Sequence, residues 1–536
     1  MKIATFLVGF GAALITAYVV DRLLRSRKNA NRLPLPPGPK PLPFVGNIRD
    51  LPKRGTFGAH HWVKFKDLYG PISSVQVMGK TIIVVNDADM ASEIFEKRST
   101  TFSSRAKLTV AGDLVGWKDS TGGLPYNNTW RVHRKHMARI IGSKTSTAQY
   151  DKLQEEEAGH FLLHLLESPQ NLEDHIKRLV NADPEVGSII LSMVFGYNTE
   201  QFKKDGLLDL MNKVMDDFTR IATIGTYMVD IFPLLRYVPE WFPGTGWKQE
   251  AKQYAEEYMA TVEKPYRFVQ HQMAEGKDDQ SYLSRLLSAT GDEPDDTYDV
   301  KMTAQSLFAG GSDTSVSALY SFFLAMTLYP DIQKKAQAEI DRVIGSERLP
   351  NLDDRENLPY IEALLSEVFR WHPIAPMGIG HASSEDATFN GYFIPAGAIV
   401  VGNIWWFTHD PAVYKDPMEF RPERYVDGQG HEPETDPRKY VFGFGRRICP
   451  GRLLAENTLY LTIVQVLAVF NIEKKIIDGK VIEPEEKFLP GLISHPAHFE
   501  TSIKPRSPHH EQLIRSVEQV YPWRKSHAEV FEKVTS

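Results

Sequence analysis

The sequence predicts a mainly helical fold with a small β-rich lobe, preceded by one N-terminal transmembrane helix. Three observations carry this reading. From Tyr150 to about Leu287 the apolar residues recur mostly at helical period, and the apolar runs Lys301–Tyr329, Leu358–Trp371 and Leu453–Phe470 are each long enough for a further helix. Between Pro71 and Asn86, Ile72–Val77 and Thr81–Val85 are rich in β-branched residues and flank a Gly79-Lys80 turn, as in a strand pair. Near the N-terminus, Ile3–Val20 contains no charged residue.

As a helix, Ile3–Val20 would be about 27 Å long, close to the hydrocarbon thickness of a bilayer. Asp21, Arg22, Arg25, Arg27 and Lys28 follow, and the basic excess places that end in the cytosol. A cleaved signal peptide would show a shorter apolar core and a small-residue cleavage site; Tyr18-Val-Val-Asp-Arg stands there instead. Residues 1–28 therefore read as an uncleaved anchor with a basic flank. Residues 29–43 form a proline-rich hinge, with Pro34, Pro36, Pro37, Pro39, Pro41 and Pro43, which is stiff, extended and not helical. Residues 44–505 contain no linker, low-complexity tract or repeat, so one large domain is tenable despite the length. Residues 506–536 form a polar C-terminal extension with apolar positions from Leu513 to Phe531, for which no role is read.

Composition sets further bounds. The net charge of -6 gives no support for nucleic-acid binding. A chain whose one cysteine is Cys449 forms no internal disulfide and no site built of several thiolates.

The helix at Trp130–Ile141 is rich in basic residues, and Trp130 and Arg134 share a face. The stretch from Ile224 to Trp247 is apolar, aromatic and proline-rich, and its plain reading is a buried loop between helices. The Lys301–Tyr329 run has an odd centre, Ala309-Gly310-Gly311-Ser312-Asp313-Thr314-Ser315. A glycine within a helix costs about 1 kcal/mol relative to alanine. Small residues there leave room for a ligand, and the Asp313 carboxyl beside the Thr314 hydroxyl can relay protons; the plain alternative is a kink capped by Thr314. Glu367 and Arg370 are spaced to form an ion pair on one helix face.

The sole cysteine lies in Phe442-Gly-Phe-Gly445-Arg-Arg447-Ile-Cys449-Pro-Gly451. One thiolate can be the protein's ligand to a haem iron. The glycines allow close approach of a large planar ligand, backbone N–H groups can tune the sulfur, and Arg447 suits an anionic propionate. An apolar helix follows, and its N-terminal dipole favours a thiolate.

This stretch matches the Phe-x-x-Gly-x-Arg-x-Cys-x-Gly haem-binding loop at every fixed position, Phe442, Gly445, Arg447, Cys449 and Gly451. The chain thus resembles the cytochrome P-450 family. The resemblance extends to the oxygen-activation motif at Gly311–Thr314, to Glu367-Val-Phe-Arg370, to Phe420-Arg-Pro422-Glu423-Arg424, and to the proline hinge. It implies the cytochrome P-450 fold and haem b with Cys449 as axial thiolate. Trp130, Arg134, His381 and Arg447 are implied as propionate contacts, and Asp313 and Thr314 as the proton-delivery pair. Glu367, Arg370 and Arg424 are implied as a buried structural lock. The implied reaction is monooxygenation of a lipophilic substrate, with electrons from an NADPH–cytochrome P-450 reductase. Arg131, Lys135 and Arg139 are then available to dock an acidic redox partner. The texture is nearest to fungal members of secondary metabolism. For residues 224–247 the resemblance implies the loop over substrate entry, which dips into the membrane, as the alternative to a buried loop. The implied location is the endoplasmic reticulum membrane, single-pass and in contact with lipid, with a cytosolic catalytic domain. Two alternatives stay open here: a P-450-fold isomerase or dehydratase that uses no dioxygen, and a non-enzymatic haem protein.

Overall fold

The computed structural model describes residues 32–535 except 54, 182–188, 201–204, 223–225, 278–279, 291–293, 429 and 431. The expected membrane helix with its basic flank lies outside the described residues. The chain divides into two units, one ending at Ala106 and completed by Ile379–Asn403, the other formed by Lys107–Gly378 and Ile404–Ser536.

The first unit holds β1 Ile72–Val77, β2 Lys80–Val85, β3 Ser104–Arg105, β4 His381–Ala382, β5 Ala387–Phe389, β6 Tyr392–Ile394 and β7 Ile399–Gly402. Five of these strands form one sheet in the order β1-β2-β7-β4-β3, and β5 and β6 form a separate hairpin. β1 and β2 pair antiparallel from Ile72↔Val85 to Val77↔Lys80. Their turn is Met78-Gly79, one residue earlier than expected, with φ of 49° and 82°. A two-residue turn with positive φ at both positions matches the twist of its strands. β7 runs parallel to β2, and Ile83, Val84 and Val85 are inaccessible. An apolar run without alternation is what a strand covered on both faces requires.

The proline stretch is not helical, as expected, and it is tied to this lobe. Ser74 donates from its N–H to Pro37 O at 2.8 Å and from Oγ to Pro36 O at 2.6 Å. Phe393 N–H donates to Pro34 O at 2.8 Å. Proline lacks a donor but keeps its acceptor, so such a segment can only receive bonds.

The second unit is helical. Its main helices are α1 Asn128–Ile141, α2 Asp151–Glu167, α3 Leu172–Asn181, α4 Ile189–Phe195, α5 Gly206–Ile221, α6 Trp247–Ala274, α7 Tyr282–Thr290, α8 Pro294–Leu328, α9 Pro330–Val343, α10 Pro359–Trp371 and α11 Arg452–Val469. Pro330 and Pro359 open α9 and α10, where a missing N–H costs nothing. α8 runs through the middle and touches α1, α3, α4, α6, α7 and α11. From Ser315 to Thr327 it is buried all round, which accounts for a sequence apolar on every side. Among the described residues α11 alone is long and apolar enough to cross a membrane, and it is mostly buried as a core helix.

The C-terminal extension joins this core. α12 Pro508–Val520 and α13 Ala528–Thr535 follow the strand Thr501–Pro505, which pairs antiparallel with Phe470–Lys474. Ile514, Val517 and Phe531 are buried. Val517 lies so close to α2 that a Cβ on Gly159 would stand 2.8 Å from its Cγ1. Arg524 grips both oxygens of Glu156, at 2.8 and 2.5 Å. Trp523 stacks on His160 with ring centroids 3.9 Å apart, and Phe531 packs among Tyr197 and Phe268.

Candidate active site

At the N-terminus of α11 the chain closes a tight loop, in which Cys449 N–H donates to Phe442 O at 2.8 Å. The closure needs Gly443 and Gly445 at φ of 76° and 52°, where a side chain is strained. Phe442 anchors the loop by an edge contact with Phe369 of α10, at 5.3 Å. Gly451 caps α11, and its N–H donates to the Cys449 sulfur. A Cβ on Gly451 would meet nothing within 4 Å. Burial pushes the pKa of the thiol up, while the Gly451 N–H and the charges of Arg134 and Arg452 pull it down. A metal ion that binds the thiolate settles that competition in favour of the charged sulfur.

Two cations converge beside this loop. Asn127 caps α1 by accepting from Trp130 N–H at 2.9 Å, which sets the first turn of the helix. Trp130 is 5% exposed, and its ring is 4.6 Å from the guanidinium of Arg447 and 5.8 Å from that of Arg134. Arg134 donates to Ile448 O at 2.9 Å, and Arg447 to Leu124 O at 2.6 Å and Thr121 O at 3.2 Å. Burial lowers the Arg134 pKa, and Cys449 acts against it. Carbonyl dipoles hold both guanidiniums in place, and their positive charge suits an anion with several oxygens. The structure thus brings Trp130, Arg134 and Arg447 together at the Cys449 loop.

His381 belongs to the other unit. It lies in β4, its Nδ1 is 2.6 Å from Phe102 O, and its ring rests 4.5 Å from that of Phe95. Across the strand pair stands Arg105, which the sequence reading did not select. Its guanidinium donates to Ile379 O at 2.6 Å and Gly380 O at 3.1 Å, and burial pushes its pKa down to about 10.

α8 continues as helix through Gly310 and Gly311. Gly311 makes room for packing, since a Cβ on it would stand 2.9 Å from Ile190 Cδ1. Gly310 makes room of another kind: it is exposed in a largely buried helix, and a Cβ there would meet nothing within 4 Å. Thr314 Oγ1 donates to Gly310 O at 2.9 Å. Asp313 Oδ1 is 3.1 Å from His495 Nε2, a partner that the sequence reading did not select.

Glu367, Arg370 and Arg424 are all inaccessible. Arg370 makes a two-pronged pair with Glu367, both contacts at 2.8 Å, and Arg424 Nε lies 3.0 Å from the same carboxylate. Arg421 N–H adds a bond to Glu367 at 2.7 Å. The remaining guanidinium donors go to the carbonyls of Thr408, Lys415, Pro417 and Glu419. Glu434 pairs with Arg424 at 2.6 Å and balances the second cation. No motif marks Glu434; it is carried there by the loop that follows Arg424.

A mainly helical body with a small sheet, and one thiol in a glycine-closed loop at a helix N-terminus, define a haem-thiolate architecture. The cytochrome P-450 family profile matches residues 36–502. Cytochrome P-450 monooxygenase ppsD of Aspergillus oryzae is 44% identical over 504 residues, 93% of this chain and 94% of its own. Cytochrome P-450 monooxygenase claR of Ampulloclitocybe clavipes is 45% identical over 505 residues, 94% and 91% of the two chains. O-methylsterigmatocystin oxidoreductase of Aspergillus flavus is 40% identical over 522 residues, 96% of each. The chain belongs to the cytochrome P-450 family. It is a monooxygenase that uses haem b with a cysteine thiolate as axial ligand, and Cys449 is the one cysteine it has.

Proposed function

We propose that this enzyme inserts one oxygen atom from dioxygen into a lipophilic substrate of fungal secondary metabolism. Its electrons come from a membrane-bound NADPH–cytochrome P-450 reductase. The observation that carries the reading is the Cys449 loop, with a hydrogen bond from Gly451 to the sulfur and two arginines alongside. Haem bound through Cys449 supplies the activation of dioxygen, and the thiolate favours O–O cleavage. Phe442 and Gly451 shape the loop that presents the sulfur. Trp130, Arg134 and Arg447 bind propionates. Asp313 holds a proton at its carboxylate, and Thr314 hands it on from its hydroxyl. Glu367, Arg370 and Arg424 hold the segments around the loop in register. Leu234, Tyr237 and Trp241 are each more than three-quarters exposed, which supports contact of that segment with lipid.

Two measurements test the reading. The ferrous protein with carbon monoxide should show the red-shifted Soret band of thiolate-ligated haem, and Cys449→Ser should lose both the band and the activity. A reconstituted system fed isotopically labelled dioxygen and an extract of a strain lacking the gene should place one labelled atom in a new product. A product formed without label would instead identify an isomerase or dehydratase.

A further inference from the structure

The segment from Phe488 to Pro496 is riveted to the second unit through Ser494. Ser494 N–H donates to Ile374 O at 2.8 Å, and Ser494 O accepts from Ser317 Oγ at 2.5 Å and stands 3.1 Å from His372 Nε2. Ser494 Oγ and Leu489 N–H close the turn on itself, at 2.7 Å each. Phe488 stacks on His372 with ring centroids 3.8 Å apart. Ser317 and Asp313 are four residues apart on α8 and so share a face. A chain pinned at Ser494 to Ser317 therefore sets its next residue, His495, one helical turn away against Asp313. The contact is 3.1 Å from Nε2 to Oδ1, and the two side chains are 25% and 26% exposed.

Stability does not call for this pair. A partly exposed ion pair contributes about 0–1 kcal/mol, and the hydrogen bonds of Ser494 already fix the turn. Chemistry gives a better reason. An imidazole can accept a proton at one nitrogen while releasing one from the other, close to neutral pH. His372, held neutral by burial with its pKa pushed down to about 3, does not offer that.

We propose that His495 is a positioning residue for catalysis that conducts protons from solvent to Asp313. A solvent proton enters at Nδ1 and Nε2–H passes its proton to Asp313 Oδ1, which leaves the Nδ1–H tautomer. Loss of the Nδ1 proton to solvent and gain of one at Nε2 restore the starting form, so that one proton has moved from solvent to Asp313. The proposal rests on the reading of Asp313 as the proton-delivery acid. Dioxygen leaves as hydrogen peroxide after two electrons and two protons, and as water after four of each. A weakened proton supply therefore shifts NADPH electrons from water to peroxide.

The test uses the holoenzyme with reductase, NADPH and dioxygen, without added substrate. Peroxide formed per NADPH is compared among wild type, His495→Ala, His495→Gln, Asp313→Asn and the His495→Ala/Asp313→Asn double variant. Amide hydrogen exchange of residues 488–496 is followed alongside. Gln can keep the hydrogen bond to Asp313 but cannot carry a proton. The peroxide share should rise severalfold in both His495 variants and in Asp313→Asn, with no further rise in the double variant. Exchange of the turn should quicken in His495→Ala and stay at the wild-type level in His495→Gln. A wild-type peroxide share in His495→Gln would overturn the relay and leave only a clamp. Normal His495 variants beside an altered Asp313→Asn would overturn the relay and leave the reading of Asp313 standing. An unaltered Asp313→Asn would overturn both.

Discussion

Glu367 accepts from two arginines and a backbone N–H with no access to water. Removing one partner of a buried pair leaves the other charge uncompensated, at a cost of about 3–5 kcal/mol. That is a large part of a net stability of about 5–15 kcal/mol. Arg370→Ala or Glu367→Ala should therefore give protein with little haem and a low unfolding midpoint in urea, rather than a folded but slow enzyme. Glu157 is a different case. It is buried beside Glu156, and its Oε2 has no hydrogen-bond partner among the described residues. Burial first, and then the Glu156 charge, push its pKa from 4.5 up to about 8. Between those values the native state keeps a proton that the unfolded state releases, so stability falls as pH rises through the window and levels off above it. The slope is at most about 1.4 kcal/mol per pH unit. Glu157→Gln should flatten this dependence, and thermal melts should show a larger gain at about pH 8 than at about pH 5. The motif residues at this scale were legible because their spacing is short. Arg105 and His495 were not, because each acquires its partner only when distant segments meet, and Glu434 was not, because only the path of the loop after Arg424 returns it to that arginine.

At the scale of elements, α8 shows why composition alone left two readings open. Two glycines in one helix suggest either a kink or a cavity. The structure gives the two glycines different surroundings, Gly311 against Ile190 and Gly310 facing open space. The C-terminal helices make the converse point. Their apolar positions were visible, but a short amphipathic helix does not name the surface it will cover. Here it is α2, through Val517 on Gly159 and Arg524 on Glu156. Arg524→Ala removes two charged hydrogen bonds from a buried carboxylate and should cost about 2 kcal/mol in chemical denaturation. Adding Glu156→Gln should recover part of that loss, because no buried charge is then left alone. Deletion of residues 507–536 should lower stability well beyond the single substitution.

For the whole molecule, the proposed function assigns membrane attachment and haem loading to different parts of the chain. Deleting residues 1–28 should shift the protein to the soluble fraction after a high-salt wash, with its haem content kept. A mature N-terminus near residue 21 would show cleavage instead. The exposed segment around Leu234, Tyr237 and Trp241 should retain some protein on vesicles after that deletion. Substituting all three by serine in the shortened protein should remove the remainder, as flotation would measure.

The sequence by itself determined the helical class, the β1–β2 hairpin, the haem ligand and the order of the motifs. Each depends on residues near one another in the chain: helical period, turn sterics, or one thiol among glycines. Tertiary structure alone decided that Glu367, Arg370 and Arg424 are inaccessible, that the proline hinge is bonded to Ser74, that the C-terminal helices belong to the core, and that His495 meets Asp313. Burial and ion pairing are properties of surfaces brought together by folding. A charged residue reads the same in sequence whether it ends in water or in the core.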